Sequence, residues 1–592
     1  MKLHDHYLTL LNKWGPSSHD VYIRDIATTM KRSIRHTKMI LKQLQQAQWI
    51  TWLPGSGRGN PSKLSLNLSK EALYETIIRQ YIEQGNIKHA LQLMEEAPLQ
   101  QSFIQWLEKQ FHWRTANTES DGIDKLCYPY YFPIDTLNPM YTITRHEGHL
   151  GEHIFNRLLR YNHDTHTFDY ELLHHFTEKE NGRVWHFYLR KGVLFHDGSR
   201  LTTHIVKENI TLWQKTFTTG WLNDMLQMIS TIEIHSDYIM TIHLCQTNRL
   251  FPHVFTGNRA RIISTTSYGK DPDRFQQHPI GTGPYQVDAH HDGYIQLSAF
   301  DHYFGLRPQL DQIELYHIPN HKRGHRQVDY RIVREDTKHM KHYDWHDTEI
   351  GGTYLVVNRQ KQGWHTHPEF PKMLSYALDR EALFADHPHY NVWFPDSFFE
   401  RSPATGPLRQ KSHIEKARKW FSDQGFVGKS LTLISTCLSH NAHLGYELSV
   451  LKEALETLGI DLHTDIVDIN ELTHPSYMSQ ADLIIAGIGL GEDRLASMLN
   501  FVTDKTSFIY TTLPTTTRLH VDALLNDIFM SASTKEAYQK MRLLERFLLD
   551  HYDIILLYDR KTHVHIEADH RLQGVEINRY NRLRYDQLWY QI

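Results

Sequence analysis

The chain has 592 residues, of which 40% are hydrophobic and 22% charged, with a formal net charge of −4. That length exceeds one ordinary core, and that composition excludes a largely disordered or fibrous protein, so several folded units are expected. Cys127, Cys245 and Cys437 stand far apart and form no CxxC pair, which excludes a disulfide framework or local zinc knuckle and predicts buried free thiols. The opening MKLHDHYLTLLNKWGP builds no uninterrupted apolar signal region. The longest apolar run, LIIAGIGL at 483–490, is less than half of what a bilayer crossing needs. A cytoplasmic protein without membrane partners is expected. Residues 1–70 hold eleven basic side chains against three acidic ones, so a basic head precedes an acidic body, the pattern of an attached polyanion-binding module.

In chain order, Leu3, Tyr7, Leu10, Leu11 and Trp14 recur at helical spacing and predict a helix over 3–14, stopped by Gly15-Pro16. Ile23, Ile26, Ala27 and Met30 predict a second helix. A third opens at Ser33, with Ile34, Thr37, Leu41, Leu44 and Gln48 on its inward side. Two amphipathic helices joined so tightly predict a helix-turn-helix. On the opposite side of the third helix lie Arg35, Lys38, Lys42 and Gln45, the residue types that pair with base edges and neutralise phosphates in a major groove. Residues 49–53, a glycine-rich tip and alternating Leu64, Leu66 and Leu68 predict a two-stranded wing, with Arg58 and Lys63 placed to reach the DNA backbone. The predicted DNA contacts are Arg32, Ser33, Arg35, His36, Lys38, Lys42, Arg58 and Lys63. Winged modules often bind as homodimers on paired half-sites, although no residue here demonstrates it.

A helical connector follows over 69–115, and the polar TANTESDG at 115–122 marks a boundary before a body of residues 116–592. Within the body, RVWHFYLRKGVLFHDGSRL at 183–201 alternates with period two, turns at Lys191-Gly192 and Asp197-Gly198, and precedes a helix with Ile205, Val206, Ile210 and Trp213 on one face.

This segment resembles the signature of the family 5 extracytoplasmic solute-binding proteins. Further matches come in that family's order: DTLNP at 135–139, IFNRLLRY at 154–161, PIGTGPYQV at 279–287, LDQIELYHIP at 310–319, MLSYALDREAL at 373–383 and IEKARKWFSDQGF at 414–426. With the head, whose wing reads QWITWLPGSGRGNPSKLSL, and with FDHYFGLRP at 300–308 and VWFPD at 392–396, the whole resembles the SgrR-type transcriptional regulators. The resemblance implies an α/β protein: an N-terminal winged helix-turn-helix on 1–68, and a two-lobed, periplasmic-binding-protein-like sensor of type II. Its implied function is DNA-binding regulation in response to a small polar solute, a sugar phosphate or similar compound, with a peptide also open. The alternative is the substrate-binding component of an ABC importer for peptides, nickel or sugars.

In peptide-binding members of that family a late aspartate anchors the ligand's amino group, and aligning AGIGLGEDRLASMLN to it puts Gly491 at that position. Glu492 and Asp493 are its neighbours in register. Arg145, Asn358 and Trp393 are the expected ligand contacts, an anion partner, a hydrogen-bonding group and an apolar wall. The forty-three histidines include His317, His321, His325 and His339, His342, His346 at helical ligand spacing, in a stretch that reads as a polar surface insertion. Chance clusters are expected in so histidine-rich a chain, so no metal site and no cofactor are assigned. No GxSxG, HExxH or P-loop is present, and no enzyme is expected.

Overall fold

The structure is a computed structural model that describes residues 3–55, 60–83, 87–97, 102–103, 106, 123–130, 134–142, 144–291, 293–317, 329–332, 340–346, 351–387, 392–398, 413–437, 444–561 and 563–591. The chain begins with α1 (Leu3–Trp14), β1 (Ser18–Val21), α2 (Ile23–Met30), α3 (Ile34–Gln46), β2 (Ile50–Leu53) and β3 (Ser62–Leu66). Gly15, at φ +76°, ends α1 in a left-handed conformation that costs glycine nothing. Lys31, also left-handed, closes α2, and Ser33 caps α3 by accepting a hydrogen bond from the His36 amide at 3.3 Å, the local chemistry that sets the two helices at a tight turn. β2 and β3 form the wing, and β1 adds to the far side of β3 in an antiparallel sheet of order β1-β3-β2.

Two details differ from the sequence reading. The inward stripe of α3 is Thr37, Ile40, Leu41 and Leu44, whereas Ile34 is exposed and Gln48 lies beyond the helix at φ +61°. β1 has no period-two signal, because only Val21 of its four residues is apolar and buried. Pairing to β3 makes it a strand, and pairing is not visible locally.

After the wing come α4 (Lys70–Glu83) and α5 (Ile87–Glu96). They pack in one apolar cluster with Tyr7, Leu44 and Leu64 of the head, and that cluster also takes in Cys127 and Tyr316 of the body. Cys127 is buried as expected; Cys245 is exposed, contrary to expectation, because it follows the last residue of strand Ile239–Leu244, where the chain leaves the sheet. The 115–122 boundary and Arg58 lie outside the described residues.

The first lobe of the body contains two four-stranded sheets. One is antiparallel in the order Leu173–Lys179, Val184–Leu189, Ile239–Leu244, Ile229–Ser236; the other runs Tyr285–His291, Tyr294–Ala299, Gln312–His317, Lys125–Tyr130, its last pair parallel. The second lobe, residues 351–560, has a six-stranded mixed sheet in the order Val392–Trp393, Ile555–Arg560, Gly351–Val357, Leu483–Gly489, Ser430–Cys437, Asp461–Asp468. Between the lobes the chain crosses twice, and the crossings pair: Met340–His346 runs antiparallel to His563–Asp569, with Asp329–Ile332 on its other side. The predicted surface insertion at 320–350 is therefore, where described, part of an interlobe ribbon.

The 183–201 signature is tied to the GTGP turn: the His196 amide donates to Gly281 O at 3.0 Å, and its imidazole sits 3.1 Å from Gly283 O. That turn seats on the C-terminus of helix Arg145–Ile154, where Gly283 N–H donates to Ile154 O at 2.9 Å. A Cβ on Gly283 would lie 2.4 Å from His153 O, and one on Gly281 2.1 Å from Ile154 O, so only glycine allows the approach.

Gly283→Ala is expected to lower the urea midpoint by an amount equivalent to about 1–3 kcal/mol of overpacking. Gly257→Ala, where an added Cβ meets nothing within 4 Å, should leave the midpoint within error.

Candidate nucleic-acid interface and interlobe site

On the head, α3 buries one stripe and leaves the other to solvent. Arg35, His36, Lys38, Lys42 and Gln45 are all exposed, as are Arg32 and Ser33 at its entry and Lys63 on β3. Lys63 stands opposite Asp20 of β1 in the register, so its charge is partly balanced. A shallow hollow at the α2–α3 turn is lined by Arg24, Lys31, Arg32 and Ser33 together with Ala27, Thr28 and Ile34. Cations grouped around a helix N-terminus suit a phosphate oxygen. Sequence reading missed Arg24 and Lys31 because neither lies on α3; only folding of the turn brings them beside Arg32.

In the body, Arg145 is the first residue of helix Arg145–Ile154, whose entry is held by a capping box between Thr144 and Glu147. It is exposed, and its Nη2 lies 3.5 Å from where a Cβ on Gly489 would stand. Gly489 ends the strand Leu483–Gly489 at the edge facing the first lobe. Two residues on, a Cβ on Gly491 would lie 3.5 Å from Arg579 Nη1 and 3.1 Å from Ser497 Oγ. A guanidinium therefore faces the position aligned with the amine-anchoring aspartate.

The neighbouring carboxylates are engaged elsewhere. Asp493 is buried, caps helix Arg494–Thr503 through the Ala496 amide, and lies 2.6 Å from His253 Nδ1 and 2.7 Å from Thr256 Oγ1. Glu492 lies 3.4 Å from Arg157, and 3.8 Å from both Arg160 and Arg579. Arg579 also pairs with Glu152 at 3.0 Å, and Arg160 with Glu171 at 3.0 Å. Burial alone would raise the carboxyls of Glu152 and Glu171. Arg579 and Arg261 beside the first, and Arg157 and Arg160 beside the second, hold both below the usual carboxylate range. Among these residues four guanidinium groups meet four carboxylates, so their formal charges balance, and Arg145 stands at the border of that set.

The three expected ligand contacts do not converge. Asn358 is buried with its amide donating to Met478 O at 2.9 Å and Ala481 O at 3.0 Å, and its Oδ1 accepting from the Gln360 amide. It follows Val357, which pairs with Leu483, whereas Gly489 pairs with Gly351. Six strand residues at ~3.3 Å each put it roughly 20 Å from the Arg145 end. Trp393 is half-buried at the sheet edge, its Nε1 donating to Asp559 Oδ2 at 3.0 Å. Of the three, Arg145 alone borders the charged junction.

Two family models match separate stretches of the chain. The model of bacterial extracellular solute-binding proteins, family 5 Middle, matches residues 167–508, and that of the sugar transport-related sRNA regulator N-terminal domain matches residues 2–117. The HTH-type transcriptional regulator SgrR of Yersinia enterocolitica is 25% identical over 79% of this chain and 80% of its own. The protein YhjP of Bacillus subtilis is 24% identical over 95% and 96% respectively. Among solved structures, the oligopeptide-binding protein AppA of Bacillus subtilis superposes with a TM-score of 0.61 at 17% identity, covering 78% of this chain and 98% of AppA. NikA of Brucella suis gives 0.62 at 15% identity, covering 79% and 100%. At these identities the structural likeness concerns the fold. The family descriptions and the SgrR name are those of solute receptors and a regulator, not of an enzyme. Among the described residues no helix is long and apolar enough to cross a membrane.

Burial alone would raise the Asp493 carboxyl, but His253, the Ala496 amide and Thr256 hold it below the usual range. A folded value below the unfolded one stabilises fully above about pH 4 and fades as pH falls through the lowered folded value. Asp493→Ala is expected to cost about 3 kcal/mol at pH 7, read from urea unfolding, with the gap to the parent protein narrowing under acid.

Proposed function

We propose that this chain, which belongs to the bacterial extracellular solute-binding proteins of family 5 and carries an SgrR-type N-terminal domain, is a DNA-binding transcriptional regulator whose two-lobed body senses a small anionic solute. The observation that carries the reading is α3. Arg35, Lys38 and Lys42 stand exposed on the side opposite Thr37, Ile40, Leu41 and Leu44, beside a wing that presents Lys63. A recognition helix needs that separation, because the apolar stripe fixes the helix on its own domain while the cationic face enters the major groove. Arg32, Ser33 and His36 at the helix entry are assigned to phosphate contacts, which position without reading sequence.

The solute class is supported by the two guanidinium groups at the strand end. Arg579 faces Gly491, Arg145 borders Gly489, and Asp493 and Glu492 are both committed to internal partners. An α-amino group would meet a guanidinium there, whereas a phosphate or carboxylate would be welcomed by it. A sugar phosphate, polar and dianionic, suits those two guanidinium groups better than a peptide. Enclosure between lobes excludes water and strengthens such contacts, so the ligand selects one interlobe arrangement. If that arrangement changes how the head meets DNA, the two affinities are coupled reciprocally.

Binding of the intact protein to DNA from upstream of its own gene is expected to weaken steeply with salt. The Arg35→Ala/Lys38→Ala variant should bind roughly tenfold or more weakly, with a log–log salt slope reduced by about 0.9 for each phosphate contact removed. Equal affinity of variant and parent would sink the assignment of α3, and failure to bind DNA at low salt would favour a carrier or importer role.

Arg145→Ala is expected to weaken capture of an anionic sugar phosphate, measured by calorimetry, by about tenfold, and to leave ligand-free DNA affinity unchanged. Undiminished capture would move the solute site away from the Arg145 end of the junction.

A further inference from the structure

The interlobe ribbon carries a feature that neither the DNA-binding head nor the charged junction uses. Along Met340–His346 the odd positions Tyr343 and Trp345, and along His563–Asp569 the even positions Val564, Ile566 and Ala568, pack on the main apolar core. The alternation of a strand then turns His342, Asp344 and His346 to the other face, together with His563, His565 and Glu567. The register places His342 opposite Glu567, Asp344 opposite His565, and His346 opposite His563. All six are metal-ligating types, in a chain where fewer than one residue in five is His, Cys, Asp or Glu.

They fall into two triads, His342–His565–Glu567 and Asp344–His346–His563, in each of which one ligand atom per residue lies within 4.8 Å of the others. Asp344 Oδ1 is 2.8 Å from His563 Nε2 and 2.9 Å from His565 Nδ1, so it links the triads. The His346 and His563 rings stack at 4.4 Å and the His342 and His565 rings at 5.5 Å. A tetrahedral ion with bonds near 2.0–2.1 Å needs ligand atoms roughly 3.3 Å apart. Small rotations of exposed or half-exposed imidazoles reach that spacing without moving the backbone.

We propose that this outer face of the interlobe ribbon binds a divalent transition-metal ion of the zinc, nickel or copper class through imidazole and carboxylate ligands. Mixed imidazole and carboxylate donors suit these borderline ions, and thiolates are not required. The ion would join two strands that are more than 200 residues apart in the chain and that carry it between the lobes, so occupancy would stiffen the crossing about which the lobes turn. Imidazoles must be deprotonated at the ligating nitrogen, so uptake releases protons and weakens as pH falls below the histidine range.

The test is calorimetric titration of the full-length protein with zinc chloride at pH 7.5, after dialysis against chelator, and repetition with His563→Ala/His565→Ala. Saturable uptake of one or two ions per chain is expected, weakened by about tenfold to a hundredfold in the variant. His463→Ala, an exposed histidine on a distant strand, should bind as the parent does. In the unsubstituted protein, zinc should slow amide exchange in peptides covering 340–346 and 563–569, which keeps the proposal testable if the double variant folds poorly. Equal zinc affinity in a folded double variant, or zinc-dependent protection confined to other segments, would overturn it.

Discussion

The body depends on the hydrogen-bonded pairing of its two crossings. Seven register pairs join Met340–His346 to His563–Asp569, and the inner face of the ribbon is anchored by Tyr343, Trp345, Val564, Ile566 and Ala568 in the main core. A paired ribbon resists stretching, because any extension breaks ladder bonds, yet it tolerates twist. Hinge rotation about such an element is easier than separation of the two lobes. That constraint aligns the edge containing Gly351 and Gly489 with the first lobe, and it puts Arg145 and Arg579 against the end of the Leu483–Gly489 strand.

The head is joined to the first lobe by packing as well as by the chain. Tyr316 and Cys127 belong to the same apolar cluster as Ile77, Leu91 and the head residues Tyr7 and Leu64. Strand Gln312–His317 thus touches the head cluster and leads toward the crossing. Head, first lobe and ribbon form one packed sequence of elements. A change in interlobe angle would alter what flanks the head, so the proposed coupling of solute to DNA has contiguous packing through which to act.

The junction's electrostatics also bear on ligand choice. Arg157 is buried and Arg579 half-buried among Glu152, Glu171 and Glu492, and removing one partner would leave an uncompensated charge, so these groups act as a set. Arg145, exposed at the start of its helix, lies outside that set. Gly491 matters for what it lacks: an aspartate there would project toward Arg579 and be neutralised by it.

Much of the head was legible in the sequence because its helices are amphipathic and its signals local. Tyr7, Leu10, Ile26, Leu41 and Leu44 sit inside as their spacing requires, and Ser33 caps as its side chain allows. β1 was illegible, since SHDV becomes a strand only by pairing with β3. The body's fold was readable through the ordered motifs, and the structure supplies their reason in the glycines that let the 281–284 turn touch helix Arg145–Ile154. The sites were far less legible. Asn358 reads as a hydrogen-bonding ligand contact after a strand but is buried, its amide donating to Met478 and Ala481 carbonyls. His342 and His346 suit helical spacing with His339, yet they lie on a strand, and their partners His563, His565 and Glu567 come from more than 200 residues away. By itself the sequence determined the basic head, the amphipathic stripes and the family of the body, since these rest on side-chain type and short-range period. Only the tertiary structure decided which charges meet at the junction and which histidines share a face, because register between distant strands is set by the packed core and leaves no local trace.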